Sequence, residues 1–93
     1  MSEYFKIETE PTDNPDVIEM ITSETLTDLD EEIYANPAEG ETGSPIAQTL
    51  FYGVEGIRAL TIIDDTLIVT RDPQVPWEML VDEVRAVLRD FFL

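Results

Sequence analysis

Hydrophobic and polar side chains alternate in two stretches near the start of the chain. In residues 4–8, Phe5 and Ile7 fall on one side, which is the pattern of a half-buried β-strand. Residues 17–22 (VIEMIT) have apolar side chains on both sides, which favours a strand with neighbours in the sheet. Residues 9–16, between the two strands, contain two prolines together with Thr, Asp and Asn, and this composition predicts a turn.

Two further β-rich runs, IRALTII and TLIVTR, lie on either side of Asp64 and Asp65. They predict a β-hairpin over residues 57–71. An Asp-Asp turn is weaker than Asn-Gly, because aspartate adopts the left-handed conformation less readily than glycine. The hairpin positions that we expect to face the core are Leu60, Ile62, Leu67 and Val69.

Two helices are predicted in the second half of the chain. Ser44 is a good N-cap, Pro45 suits the first helical position, and Gly53 is a natural stop. The second helix covers residues 76–92, where apolar side chains recur at helical spacing from Trp77 onwards. Trp77 has two interpretations, a core anchor or an exposed aromatic contact for a partner.

The acidic stretch of residues 25–41 fits either a helix or a loop followed by a short strand at residues 31–34, and we favour the loop and strand. Residues 36–43 are rich in Gly and Pro and are predicted to be a loop. The element order is then β-β-(β)-α-β-β-α, with connections too short for mostly parallel strands. We expect an α+β fold of two layers, an antiparallel β-sheet of four to five strands with two helices packed on one face. The length suits one domain over residues 1–93.

The composition excludes several classes of chemistry. The chain has no cysteine, so it has neither disulfides nor thiolate ligands for an iron–sulfur cluster. It has no histidine, which removes the commonest general base and the commonest transition-metal ligand. These absences indicate that the protein is not an enzyme of the Ser-His or Cys-His type.

The net charge of −16 limits the classes of partner that the protein is expected to bind. It disfavours nucleic acid, which needs cations against phosphate, and it disfavours anionic membrane surfaces. The acidity is concentrated in residues 1–45, which carry 13 acidic residues and one basic residue. It is typical of a solvated surface that keeps a protein soluble, and it also suits docking to a basic partner.

A dense carboxylate cluster in residues 28–32 (DLDEE) is a candidate for weak binding of a divalent cation, because Ca²⁺ and Mg²⁺ prefer oxygen ligands. The cluster lacks the residue order of an EF-hand, and the alternative interpretation is a solvated acidic loop. Asp64 and Asp65 are adjacent at a hairpin tip, where their side chains point apart, so we do not expect them to be a catalytic pair.

Four stretches of the chain carry a recognisable set of motifs: IETEPTDNPDVIEMI, SPIAQTLFYGVEGIRAL, TLIVTR and PWEMLVDEVRAVLRDFF. They contain a Thr-Glu-Pro-Thr-x-Asn-Pro turn, a Ser-Pro helix that ends in Leu-Phe, a Gly-Val hairpin and a Trp-x-x-Leu helix. In order and spacing they resemble the N-terminal domain of Nfu-type (NifU-related) iron–sulfur cluster scaffold proteins, over nearly the whole chain.

The resemblance implies a small α+β domain and a link to iron–sulfur cluster assembly or delivery. In two-domain members of the family a Cys-x-x-Cys domain follows and carries the cluster. Because this chain has no cysteine, the resemblance implies only an accessory role. We expect a non-enzymatic interaction module without a cofactor, which docks to a scaffold domain or to a recipient apoprotein. The alternatives are an acidic adaptor unrelated to clusters and a weak divalent-cation-binding protein.

The expected contact surface is the turn between the first two strands. With its neighbouring acids it comprises Thr9, Glu10, Thr12, Asp13, Asn14 and Asp16, which we call the acidic turn surface. A purely structural turn is the competing interpretation. The sequence has neither an apolar run long enough for a membrane span nor the pattern of a signal peptide, so a cytoplasmic location is expected.

Overall fold

A computed structural model describes residues 5–92, and within that range it contains a five-stranded antiparallel sheet and three helices. The strands are β1 (Ile7–Pro11), β2 (Val17–Thr22), β3 (Glu32–Tyr34), β4 (Ile57–Ile63) and β5 (Thr66–Arg71). The helices are α1 (Pro37–Gly40), α2 (Pro45–Gly53) and α3 (Trp77–Phe92). The strand order is β1-β2-β5-β4-β3, so β5 is central and β1 and β3 are the edges. The α+β prediction is confirmed.

The core lies between one face of the sheet and helices α2 and α3. In β2, buried side chains alternate with half-buried ones, because successive residues of a strand point to opposite faces. The four predicted core positions of the hairpin are all buried, and they pack against the apolar stripes of the two helices. The buried helical residues are Ile46, Ala47 and Leu50 in α2 and Leu80, Val84 and Leu88 in α3.

Helix α2 begins as the sequence predicts. The Ser44 hydroxyl accepts a hydrogen bond from the Ala47 backbone N–H at 3.3 Å, and Pro45 lies in the first turn. Gly53 is the last helical residue, and a Cβ at this position would lie 3.0 Å from a methyl carbon of Val87. The absence of a side chain at Gly53 therefore allows α2 and α3 to approach each other closely.

Two expected elements differ from the structure. The first strand covers Ile7–Pro11 rather than residues 4–8, because its pairing with β2 continues as far as Pro11 opposite Ile18, and residue 4 lies outside the described residues. Proline is tolerated there because β1 is an edge strand and its missing N–H breaks no ladder.

Residues 36–43 are not only a loop, because they contain the short helix α1. The Asn36 side chain accepts a hydrogen bond from the Glu39 N–H at 3.0 Å, and the Glu39 carboxylate accepts one from the Ala35 N–H at 2.7 Å. This reciprocal arrangement resembles a capping box, and it satisfies the N–H of Glu39 in the first turn and the N–H of Ala35 just before the helix.

The hairpin turn contains one conformationally strained residue, since Asp64 has a φ of 55°. We expect Asp64→Gly to raise the free energy of unfolding by about 0.5 kcal/mol, because glycine removes the cost of the left-handed conformation. Asp64→Val should lower it by at least as much. Urea denaturation measures both effects.

Asp65→Gly is the matched control, because Asp65 does not have a positive φ. Glycine at this position gains nothing in the folded state and increases the flexibility of the unfolded chain, so stability should stay the same or fall. Equal stabilisation by glycine at both positions would contradict the role assigned to Asp64.

Candidate functional site

The turn between β1 and β2 is organised by its own side chains. The Thr12 hydroxyl lies 2.8 Å from the Val17 carbonyl oxygen and accepts a hydrogen bond from the Asn14 N–H at 3.1 Å. The Asn14 side chain accepts from the Asp16 N–H at 2.9 Å, and the Asn14 carbonyl accepts from the Val17 N–H at 3.0 Å. Thr12 and Asn14 therefore shape the turn and stabilise its conformation.

Arg71, at the end of β5, holds this turn against the body of the domain. Its Nε donates to the Asp16 carboxylate at 3.1 Å, and its backbone N–H donates to the Asp16 carbonyl at 2.9 Å. A second guanidinium nitrogen donates to the Val75 carbonyl at 3.1 Å. The Arg71 side chain is only 19% exposed, so this ion pair is better shielded from solvent than a surface pair.

Trp77 completes the contact from the start of α3. Its indole N–H donates to the Pro15 carbonyl at 2.8 Å, and the Arg71 guanidinium lies 5.0 Å from its ring centroid. This geometry is that of a cation–π pair. Trp77 is half-buried and packs on the edge of the core, so it acts as an anchor that also fastens the turn.

The acidic turn surface therefore contains two kinds of residue. Thr12, Asn14 and Asp16 use their side chains within the domain. The other three, Thr9, Glu10 and Asp13, are exposed. The proximity of Arg71 and Trp77 to the turn was missed from the sequence, because they are separated from Asp16 and Pro15 by 55 and 62 positions.

The carboxylates of residues 28–32 are not brought together in the structure. Glu32 is only 7% exposed, and its two carboxylate oxygens accept hydrogen bonds from the hydroxyls of Thr27 and Tyr34. Asp28, Asp30 and Glu31 lie at the surface. Across residues 5–92, no three His, Cys, Asp or Glu residues are grouped as they would need to be to hold a metal ion.

The environment of Glu32 controls its ionisation. Burial by itself raises the pKa of Glu32, but hydrogen bonds from the side chains of Thr27, Tyr34 and Ser44 outweigh burial and hold the pKa below its ordinary value. Because the Tyr34 hydroxyl also accepts from the Ser44 N–H at 3.2 Å, its proton is directed to Glu32. The buried carboxylate thus connects β3 to the start of α2.

The connection between β5 and α3 contains a second perturbed carboxyl group. The Gln74 backbone N–H donates to Asp72 at 3.0 Å, and Arg58 lies 3.3 Å from the other carboxylate oxygen. The hydrogen bond from Gln74 is the largest influence on the pKa of Asp72, and together with the interaction with Arg58 it outweighs the opposing effect of burial and holds that pKa below its ordinary value. Asp72 thereby stabilises the loop that leads to Trp77.

The chain belongs to the Nfu family, since the family model for "Scaffold protein Nfu/NifU N terminal" matches residues 7–93. Among curated relatives, the mitochondrial NFU1 iron-sulfur cluster scaffold homologs of Drosophila persimilis and Drosophila grimshawi are 29% and 30% identical over 86 residues. Each alignment covers 92% of this chain but only 30% and 28% of the relative, so the chain spans under a third of their length. The predicted cytoplasmic location stays a prediction, because these relatives are mitochondrial.

Solved structures share the fold. The NMR structure of a NifU-like protein from Saccharomyces cerevisiae superimposes with a TM-score of 0.77 at 22% identity, covering 96% of this chain and 79% of that one. The crystal structure of protein SAV1430 from Staphylococcus aureus superimposes with a TM-score of 0.70 at 20% identity, covering 89% of this chain and 98% of that one. In the described part of the present chain, no helix is both long and apolar enough to cross a membrane.

Replacing Arg71 with lysine should loosen the turn without unfolding the domain. Lysine keeps the charge, but it loses the guanidinium that lies over the Trp77 ring and reaches both Asp16 and Val75. We expect hydrogen exchange of the Asp16 and Val17 amides to accelerate about tenfold, which corresponds to about 1.4 kcal/mol.

Arg58→Lys is the matched control, because Arg58 is 61% exposed and pairs only with Asp72 in the described structure. It should leave exchange in the turn unchanged. Equal acceleration by the two substitutions would mean that Arg71 does not hold the turn specifically.

Replacing Glu32 with glutamine should destabilise the protein most at neutral pH. We expect a loss of about 1–3 kcal/mol, because an amide has one acceptor oxygen for two hydroxyl donors. A carboxyl group whose folded pKa is depressed stabilises the fold above its unfolded pKa, about 4.3, and this contribution disappears as pH falls through the folded value. The stability difference from the parent protein should therefore shrink below about pH 4.

Denaturant unfolding from pH 7 down to pH 3 measures this difference. Glu31→Gln, at the exposed neighbouring position, is the control and should change stability little at any pH in that range. A pH-independent loss for Glu32→Gln would show that shape rather than charge matters at this position.

Proposed function

We propose that this protein is a non-enzymatic accessory module of iron–sulfur cluster assembly or delivery, and that it acts by docking to a scaffold domain or to a recipient apoprotein. The family relationship supports the link to clusters. The lack of cysteine and histidine supports a role without cluster ligation or nucleophilic catalysis by the chain itself. The proposed contact is the acidic turn surface.

The observation that carries this proposal is the convergence of three family motifs on one turn. The turn comes from the first motif, Arg71 ends the third, and Trp77 is the second residue of the fourth. All three meet through the hydrogen bonds to Asp16 and Pro15. A turn held in this way presents the exposed Asp13 in a fixed position, and preorganisation reduces the entropy lost on binding.

The charge of the chain supports a basic partner surface. A net charge of −16 accelerates the approach of a cationic surface and selects against acidic ones. The same attraction to cationic surfaces would serve an acidic adaptor unrelated to clusters. The uneven distribution of charge along the chain favours this second candidate. Cluster-transfer assays separate the two candidates, because only the first affects transfer.

An NMR titration tests the proposed contact. Labelled protein is titrated with a Cys-x-x-Cys scaffold domain and, separately, with recipient apoproteins. We expect shift changes at residues 9–16, and we expect Asp13→Lys to slow association about tenfold at low salt, because it reverses a charge at the contact.

Glu41→Lys makes the same charge change at an exposed position beside α1, and it should have a smaller effect on association. The absence of shift changes in residues 9–16 at high partner concentration would exclude the turn as the contact. Equal slowing by both variants would indicate long-range attraction without a contact at the turn.

A further inference from the structure

One face of the sheet is left uncovered by the helices. Ile18 and Met20 of β2 are buried beneath α2 and α3, whereas Val17, Glu19 and Ile21, which alternate with them, are only half-buried. Helices α2 and α3 pack on the side of the buried set, and Gly40 of α1 lies against the Phe51 ring of α2. We call the other side the open sheet face.

The open sheet face is organised in two rows that the strand register defines. The first row crosses all five strands as Glu10, Glu19, Ile68, Thr61 and Ile33. The second row crosses four strands as Glu8, Ile21, Thr66 and Ile63. Both rows begin with a glutamate in β1 and end with an isoleucine, which is Ile33 of β3 in the first row and Ile63 of β4 in the second.

The apolar end of the rows is accessible to a partner. Ile33 is 63% exposed and Ile63 is 39% exposed, and Thr61 and Thr66 lie beside them in the register. A solvated face of an antiparallel sheet usually carries polar side chains. Isoleucines on such a face therefore mark a candidate protein contact.

The acidic end has an unfavourable feature in the free protein. Glu10 and Glu19 lie directly opposite each other on adjacent strands, where like charges destabilise the sheet. Neither row contains a lysine or arginine to offset this repulsion. The basic strand residues Arg58 and Arg71 are paired with Asp72 and Asp16.

We propose that the open sheet face is a docking surface for a protein that presents apolar side chains beside lysines or arginines. The apolar groups would cover the isoleucines, and a cation would lie between Glu10 and Glu19. A second copy of this chain fits poorly, because its net charge is also −16 and its open face has the same glutamates. This surface shares Glu10 with the acidic turn surface, but the inference depends on the register, charge and exposure of the strand residues and not on the turn.

The size of the face indicates a transient complex. With about 4.8 Å between strands and about 3.3 Å rise per residue, five strands of three to seven residues present roughly 430 Å². A stable interface uses about 800 Å² per partner. The open sheet face is smaller than a stable interface. We therefore expect a partner either to bind weakly and reversibly or to make further contacts outside the sheet.

A set of three synthetic helical peptides tests the chemistry of the surface. The first has a leucine stripe flanked by lysines, the second keeps the lysines but replaces leucine with glutamine, and the third keeps the leucines but replaces lysine with glutamate. We expect the first to bind at least about tenfold more tightly than either control and to shift the amides of Ile33, Thr61 and Ile68.

Matched variants test the position of the surface. Ile63→Lys should weaken binding of the first peptide about tenfold, whereas Met79→Lys should change it less than about twofold. Met79 is the control because it is 53% exposed on α3, on the opposite side of the sheet. Thermal unfolding of both variants verifies that they remain folded.

Glu19→Gln gives opposite effects on stability and binding. Removing one of two facing carboxylates should raise the melting temperature of the free protein and weaken binding of the first peptide. If Glu19 affected only the stability of the sheet, Glu19→Gln would not weaken binding of the first peptide. Equal binding of the first two peptides, shifts confined to the acidic loops, or self-association through this face in sedimentation would overturn the proposal.

Discussion

The structure depends on a sheet whose apolar face is covered by only two full-length helices. Burial of that face drives folding, since the hydrophobic contribution scales with the apolar area removed from water. The helices must therefore lie close together, and the missing side chain at Gly53 permits their contact beside Val87. The other face of the sheet is not covered by α2 or α3, so the packing that stabilises the fold also leaves the open sheet face accessible.

Polar groups stabilise the turn between β1 and β2 and the region around β3 in different ways. In the first of these regions, Arg71 and Trp77 hold the turn through hydrogen bonds and a cation–π contact. In the second, Glu32 accepts hydrogen bonds from Thr27 and Tyr34 inside the domain. Both sites contain a charge that is shielded from solvent and compensated by partners, which is the condition under which a buried charge is tolerated.

The two proposed surfaces differ in the chemistry that they offer to a partner. The acidic turn surface is rigid and polar, which suits selection of a partner by charge. The open sheet face adds isoleucines, which supply apolar area that charge alone lacks. Membership of the Nfu family supports a link between the chain and iron–sulfur cluster assembly, which is the context in which we propose that both surfaces act.

Several elements could be predicted because their sequence signals are local. The alternation of β2, the hairpin on either side of Asp64 and the Ser44 cap are read within a few residues, and all are present. Tertiary structure decided the burial of Glu32 and the contact of Trp77 with Pro15, because these depend on partners brought together by folding. The open sheet face was also decided there, since only strand order and register align glutamates and isoleucines that are distant along the chain.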